Sequence, residues 1–193
     1  MFVSFKNRIV EDSSGFTLIE MVIVIVVLSI LFMIVTPRIS RIINTERDNF
    51  AIITGLIAKT FDDSFLHNKI NYLVVHLPNP DQEETESTKG IMNRHNAISV
   101  INIVDGKYVE NKRKTLKWRD FSPGRFLIEE VVKPNGEKLS SGNVWIPFYP
   151  QGYSDNVIIH ILVNRGQKWS IKIDKHIKEP KVLEGYVTYQ SED

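Results

Sequence analysis

The feature that most constrains this chain is the run GFTLIEMVIVIVVLSILFMIV, residues 15 to 35. From Met21 to Val35 the only polar side chain is Ser29. With Phe16–Glu20 the stretch reaches the ~20 residues that a membrane-spanning helix needs. It is rich in Val and Ile, which in water would hint at a buried strand, but its length argues for a helix. A helix also satisfies its own backbone hydrogen bonds, as hydrocarbon demands. One carboxylate, Glu20, sits just inside the start. A charge in hydrocarbon costs of order ~2.5–3.5 kcal/mol on insertion scales. A plain anchor explains the apolar run and leaves Glu20 unexplained.

A cleaved secretory signal has a shorter apolar core and an A-x-A-like site after it. Here TPRIS follows the core, and the small residues Ser13, Ser14 and Gly15 precede it. Basic residues lie on both sides of the run. Lys6 and Arg8 precede it with Glu11 and Asp12; Arg38, Arg41 and Arg47 follow it. A count of basic residues leans against an exported C-terminal domain.

Beyond Pro37 the pattern becomes amphipathic. Phe50, Ile53, Ile57, Phe61 and Phe65 recur at helical spacing, with Ala51, Ile52 and Leu56 widening the stripe. Arg47, Asp48, Lys59, Asp62 and Asp63 mostly fall elsewhere. A continuous helix from Phe16 to about His67 would be roughly 75 Å long at ~1.5 Å per residue. No small domain buries that length, so the first half is expected to protrude into lipid or other subunits. Gly55 is either simply tolerated or admits a close strand. Pro37 either kinks the helix or leaves an open turn.

From about residue 70 the periodicity shortens to that of strands. Strands are expected at 71–77, 97–104, 125–132, 143–149, 156–163, 168–174 and 183–189. Turn signals separate several of them: DG at 105–106, PNG at 134–136 and NRG at 164–166. Residues 157–163 are almost wholly apolar, interrupted by His160, as in a central strand covered on both sides. The fold class is therefore α+β, a long N-terminal helix packed on an antiparallel β-rich domain.

The string GFTLIEMVIVIVVLSILFMIVTPRI resembles the N-terminus of type IV pilins and type II secretion pseudopilins. The likeness covers residues 1 to about 45. It implies a type IV pilin-like fold in which 1–15 is a leader removed by prepilin peptidase. Residues 16–44 would be the transmembrane and filament-core helix, 45–68 its amphipathic half, and 69–193 a periplasmic β-rich domain. Gly15 matches the residue before the cut, and Phe16 becomes the N-methylated first residue. Glu20 matches the family's glutamate, and Pro37 falls at its helix-bending proline. In the family this carboxylate pairs with the N-terminal amine of a neighbouring subunit. Such a pairing would specify axial register, since a subunit docked one step wrong leaves both charges unpaired.

A second likeness lies in WIPFYPQGYSDNVIIHI. Phe148, Pro150, Gly152 and Ser154, followed by a strand from Val157, look like the pattern of H-type minor pseudopilins and FimT-like minor pilins. The implied protein is a minor pseudopilin of a type II secretion system, with a type IV pilus minor pilin as the alternative. The implied partners are other pseudopilins, prepilin peptidase and an inner-membrane assembly platform. The implied location is the bacterial inner membrane, crossed once, with the C-terminal domain in the periplasm. A membrane-tethered periplasmic binding domain that never polymerises is a third reading.

Nothing in the residues calls for catalysis. There is no cysteine, which removes thiolate chemistry and disulfides. His67, His76, His95, His160 and His176 form no metal-ligand motif, and no nucleophile elbow or phosphate loop is present. His160 reads as a core-edge or surface histidine. Glu129 and Glu130, as strand neighbours, are expected on opposite sheet faces. The acidic segment 78–90 reads as a loop. Asp81, Glu83, Glu84 and Glu86 lack the spacing of a calcium site, so no metal or cofactor is expected. The formal net charge of +1 announces no nucleic-acid partner. The basic run 107–119, with Trp118, reads as a solvated strand or loop.

Overall fold

The structure, a computed structural model, describes residues 17–78, 88, 90–122, 125–164 and 166–189; within its helix the side chains of 34–46 are not described. Two compact units divide the chain, Met1–Asn44 and Thr45–Asp193. One helix, α1, Leu18–Leu66, runs through both.

In the first unit α1 begins at a built cap. The backbone N–H of Glu20 is shared between Thr17 O at 3.1 Å and Thr17 Oγ1 at 3.3 Å, so Thr17 caps the helix start with both its carbonyl and its hydroxyl. Ser29 returns its hydroxyl to Ile25 O at 2.7 Å, so the one polar residue among the apolar ones is satisfied within the helix. The large apolar side chains from Leu18 to Met33 are exposed. Among the described residues, no helix is long and apolar enough to cross a membrane.

In the second unit α1 buries Ile53, Leu56 and Ile57 together with Thr60, Asp63 and Ser64. This face is narrower and more polar than the expected stripe. Ala51, Ile52 and Phe65 are exposed. Thr60 and Ser64 are tolerated inside because each bonds the carbonyl one turn back, Leu56 O at 2.7 Å and Thr60 O at 2.9 Å. A Cβ at Gly55 would meet nothing within 4 Å, so no strand approaches it closely. The helix ends on Asn68, at φ +47°, while Lys69 N–H reaches back to Ser64 O at 3.2 Å. A left-handed residue followed by that return bond stops a helix cleanly.

The strands are β1 (Asn71–His76), β2 (Ala97–Val104), β3 (Lys107–Glu110), β4 (Arg119–Asp120), β5 (Phe126–Val132), β6 (Lys138–Leu139), β7 (Asn143–Tyr149), β8 (Tyr153–Ser154), β9 (Val157–Val163), β10 (Gln167–Ile173) and β11 (Lys181–Glu184). Among the described residues they form a six-stranded sheet, ordered β3-β2-β1-β7-β8 with β4 also on β2, and a five-stranded sheet ordered β11-β10-β9-β5-β6. Every pairing is antiparallel. The α1 face and residues of both sheets share one core, with Leu73, Val75, Ile146 and Phe148 from one sheet and Ile128, Ile159, Ile161 and Ile171 from the other.

Three expectations need correction. The last strand stops at Glu184 instead of continuing to Tyr189. Residues 185–189 instead lie against β10 and β9: Ser170 Oγ donates to Gly185 O at 2.7 Å and accepts Val187 N–H at 3.1 Å. His160 is fully buried, not at an edge or on the surface, because this segment covers it. Glu129 and Glu130 do not serve opposite faces. The pairing of β5 with β9 shifts register between Ile128 and Glu130, and such a bulge breaks the two-residue alternation.

Candidate assembly site

The residues expected to carry function lie at the N-terminal end. Gly15 and Phe16 lie outside the described residues, as do Asp81, Glu83, Glu84 and Glu86. Pro37 falls within α1, its side chain among those not described. Glu20 is exposed in the first turn of α1. Its N–H is held by Thr17, and among the described residues its carboxylate takes no hydrogen bond or ion pair. A carboxylate in the first turn gains from the helix dipole, typically ~0.3–1 kcal/mol. It therefore rests stably at its own helix end and stays available to a cation from outside.

The second likeness maps onto a hairpin. β7 and β8 pair through Phe148 and Ser154 and through Tyr149 and Tyr153, with Gly152 N–H bonded to Tyr149 O at 3.1 Å. Gly152 has φ +80°, a conformation that costs a residue with a Cβ roughly 1–2 kcal/mol. A Cβ there would also touch Phe65 Cδ2 at 3.7 Å and Phe61 Cζ at 3.8 Å. The turn thus seats β8 beside the end of α1 and leads directly into β9.

Three polar clusters were not legible in the sequence. In the first, Asp63, almost fully buried, receives Arg113 Nη1 at 2.5 Å, Lys69 Nζ at 2.9 Å, Asn71 Nδ2 at 3.1 Å and Asn111 Nδ2 at 3.2 Å. Burial alone would raise its pKa. The hydrogen bonds and charges of Lys69, Asn71 and Arg113 outweigh burial and hold it below the ordinary carboxylate value. The cluster ties the end of α1 to β1 and to the segment after β3. Arg113 is thereby consumed in an ion pair, which interrupts the basic run 107–119 as a track for phosphates.

In the second cluster Arg94 Nη1 donates to Ser99 Oγ at 2.7 Å, Ser99 Oγ meets His76 Nε2 at 2.9 Å, and His76 Nδ1 meets Asn143 Oδ1 at 2.5 Å. Asn143 Nδ2 then donates to Met92 O at 3.0 Å. The directions are fixed: the amide oxygen only accepts, so Nδ1 carries the proton and Nε2 accepts from the serine. The order serine, histidine, asparagine is that of a nucleophilic triad. Ser99 and His76 have no exposed surface, so no substrate reaches them. Arg94 also clasps Glu110 through both guanidinium ends and lies 4.4 Å over the Trp118 ring. Burial pushes the pKa of His76 down to about 4. The chain is a structural clamp that holds residues 92–94 on the outer face of the larger sheet.

In the third cluster His160 Nδ1 contacts Glu130 Oε1 at 2.8 Å and Nε2 contacts Val187 O at 2.8 Å. Tyr186 stacks on His160, ring centroids 4.2 Å apart and planes within 1°, and donates its hydroxyl to Glu129. Burial and the Glu129 carboxylate both raise the Tyr186 pKa. The bulge in β5 brings both glutamates to this one stack. Among the described residues no group of histidines and carboxylates is arranged to hold a metal.

A family model described as the prokaryotic N-terminal methylation motif matches residues 12–36. No curated protein and no solved structure matches the chain. The matched segment spans Gly15, Phe16 and Glu20, stops one residue before Pro37, and leaves the β-rich unit unmatched. It supports a type IV pilin-like chain, and the α+β layout is consistent with that fold.

Proposed function

We propose that this chain is a minor pseudopilin of a type II secretion system, most like the H-type. The methylation motif supports it, together with the free carboxylate of Glu20 in the first turn of an apolar helix. The Phe148–Ser154 hairpin running into β9 favours the H-type over other subunits. Prepilin peptidase cuts between Gly15 and Phe16 and methylates Phe16. Residues 16–44 then lodge in the inner membrane, 45–68 continue the helix, and 69–193 fold in the periplasm. The spanning segment rests on the sequence, where residues 16–35 hold a single ionisable side chain.

On assembly the helix leaves lipid and joins the apolar core of a short filament with major and minor pseudopilins, on an inner-membrane platform. Glu20 pairs there with the Phe16 amine of a neighbour. An isolated buried charge is strongly unfavourable, whereas a paired one is tolerated, so only the correct axial step satisfies both groups. The filament helps export folded proteins across the outer membrane, and its work is contact, not catalysis.

Mass spectrometry of the mature N-terminus is the direct test. A methylated Phe16 is expected, and any other start overturns the reading. Glu20→Leu should insert normally and fail to join filaments. Unchanged incorporation or unchanged secretion would remove the register role. Secretion-channel and assembly-ATPase genes beside this one are expected. A retraction motor and adhesins in their place would favour a pilus subunit.

A further inference from the structure

His160 has no exposed surface, and each of its ring nitrogens faces an oxygen. Nδ1 lies 2.8 Å from Glu130 Oε1, and Nε2 lies 2.8 Å from Val187 O. A carbonyl oxygen only accepts, and so does an ionised carboxylate. Burial alone would raise the Glu130 pKa, but the hydrogen bonds and charges of His160 and Lys138 outweigh it and hold the carboxyl below its ordinary value. Glu130 is therefore ionised, and two acceptors flank one ring. A neutral imidazole offers a single N–H. Both contacts are hydrogen bonds only when His160 carries a proton on each nitrogen. Tyr186 lies flat on that ring, centroids 4.2 Å apart, and an aromatic face attracts a cation.

The Val187 carbonyl belongs to the segment that follows β11. Gly185 anchors it, donating its N–H to Lys168 O at 2.8 Å and accepting the Ser170 hydroxyl at 2.7 Å. Beyond Gly185 the segment is held by Val187 N–H on Ser170 Oγ at 3.1 Å, by Val187 O on His160, and by the Tyr186 hydroxyl on Glu129. The other charged groups around it come from three strands. Lys138 of β6 lies 3.3 Å from Glu130. Lys168 of β10 lies 5.0 Å over the Tyr186 ring, and Lys172 of β10 pairs with Asp174 at 3.0 Å and lies 6.0 Å over the Tyr189 ring. On β11, Lys181 pairs with Asp174 at 3.4 Å and Glu184 is exposed. Of these side-chain types, only histidine ordinarily changes charge between about pH 5 and about pH 8.

We propose that residues 186–189 form a proton-dependent strap, latched over β9 and β10 while both ring nitrogens of His160 are protonated and released when one proton is lost. The carboxylate is the stronger acceptor, so the neutral ring keeps its proton on Nδ1. Nε2 then turns a lone pair toward Val187 O, and two buried acceptors face each other without a hydrogen between them. The latched state binds one proton more than the released state, so falling pH favours the latch and rising pH opens it. His160 and Ser170 are partners across β9 and β10, and they alternate with the core residues Ile159, Ile161 and Ile171. Release therefore uncovers both on the outer face of the smaller sheet.

The test uses the isotope-labelled full chain in detergent micelles, from about pH 5 to about pH 8. Ring-nitrogen spectra count the protons on His160, and hydrogen-exchange protection of the Val187 amide reads the latch. Protection of Val187 should fall about tenfold or more as pH rises, in step with loss of the second ring proton. The Ile159 and Ile161 amides should keep theirs. Glu130→Gln should stay latched to the top of the range, because its amide N–H can donate to a bare Nδ1 and leave Nε2–H for Val187. His160→Phe keeps a ring for Tyr186 and has no N–H, so Val187 protection should be low at every pH. A protected Val187 beside a singly protonated His160, protection that does not change with pH, or a Glu130→Gln chain with the unsubstituted pH dependence overturns the proposal.

Discussion

Thr17 holds the backbone N–H of Glu20 at 3.3 Å while the Glu20 carboxylate stays unengaged among the described residues. The cap fixes the first turn, and the first turn fixes where the carboxylate projects. Thr17→Ala should therefore loosen the helix start by about 1 kcal/mol. Amide hydrogen exchange should show Glu20 N–H exchanging several-fold faster, with Thr60 and Ser64 unchanged. Equal protection in the variant would mean that the cap does not organise this end.

Asp63 is the hub that closes the end of α1 on the β-rich unit. Asp63→Ala leaves Lys69 and Arg113 without their shared carboxylate. Both cations are partly exposed and screened, so the expected loss is about 2–3 kcal/mol, read as a lowered melting temperature. The folded pKa of Asp63 is depressed, so its contribution is present above the unfolded value of 3.8 and is lost as pH falls through the lower folded value. In Asp63→Asn that acid-side loss should disappear.

His76 should make stability pH-dependent in a higher window. Its pKa is about 4 in the folded chain against 6.5 unfolded. Between those values the unfolded state binds the extra proton, so stability is full above about pH 6.5 and falls as pH drops toward 4. The limit is about 3 kcal/mol at ~1.36 kcal/mol per unit. Urea unfolding of His76→Asn should be less stable at pH 7 and much flatter between pH 7 and 4.5. A slope equal to that of the unsubstituted chain would contradict the assignment.

Gly152 separates backbone strain from crowding. Its Cβ would sit at ordinary contact distance from Phe61 and Phe65, so Gly152→Ala should cost only the left-handed conformation, roughly 1–2 kcal/mol. Gly152→Asn should cost less, because asparagine tolerates that region better. Thermal melts of the two variants compare these directly. A larger loss in Gly152→Asn than in Gly152→Ala would assign the cost to crowding.

Tyr186 closes the C-terminal segment over His160. Tyr186→Phe keeps the stack and loses the bond to Glu129, whereas Tyr186→Ala loses both. Hydrogen exchange at Val187 should rise modestly in the first variant and strongly in the second. Equal exchange in both would place the closure in the hydroxyl alone.

The sequence by itself determined what local chemistry decides. The apolar run, Glu20 near its start and the helix to about residue 67 follow from composition and period. β2 and β7 fall at the expected residues because apolar alternation and turn signals bracket them. Asp105 and Gly106, both at positive φ, make the signalled turn into β3, which opens the run read as a solvated strand or loop. What the sequence left open depends on residues far apart along the chain. Phe65 looks like core and is exposed, while Asp63 looks like surface and is buried, because Lys69, Asn71 and Arg113 converge only once β1 and β3 are in place. His160 is buried by residues 185–189, and the β5 bulge brings Glu129 and Glu130 to one stack. Periodicity reports which face of an element is apolar. Only the tertiary structure decides which polar groups find partners, since burial of a charge or hydroxyl is settled by the donors and acceptors that distant segments bring to it.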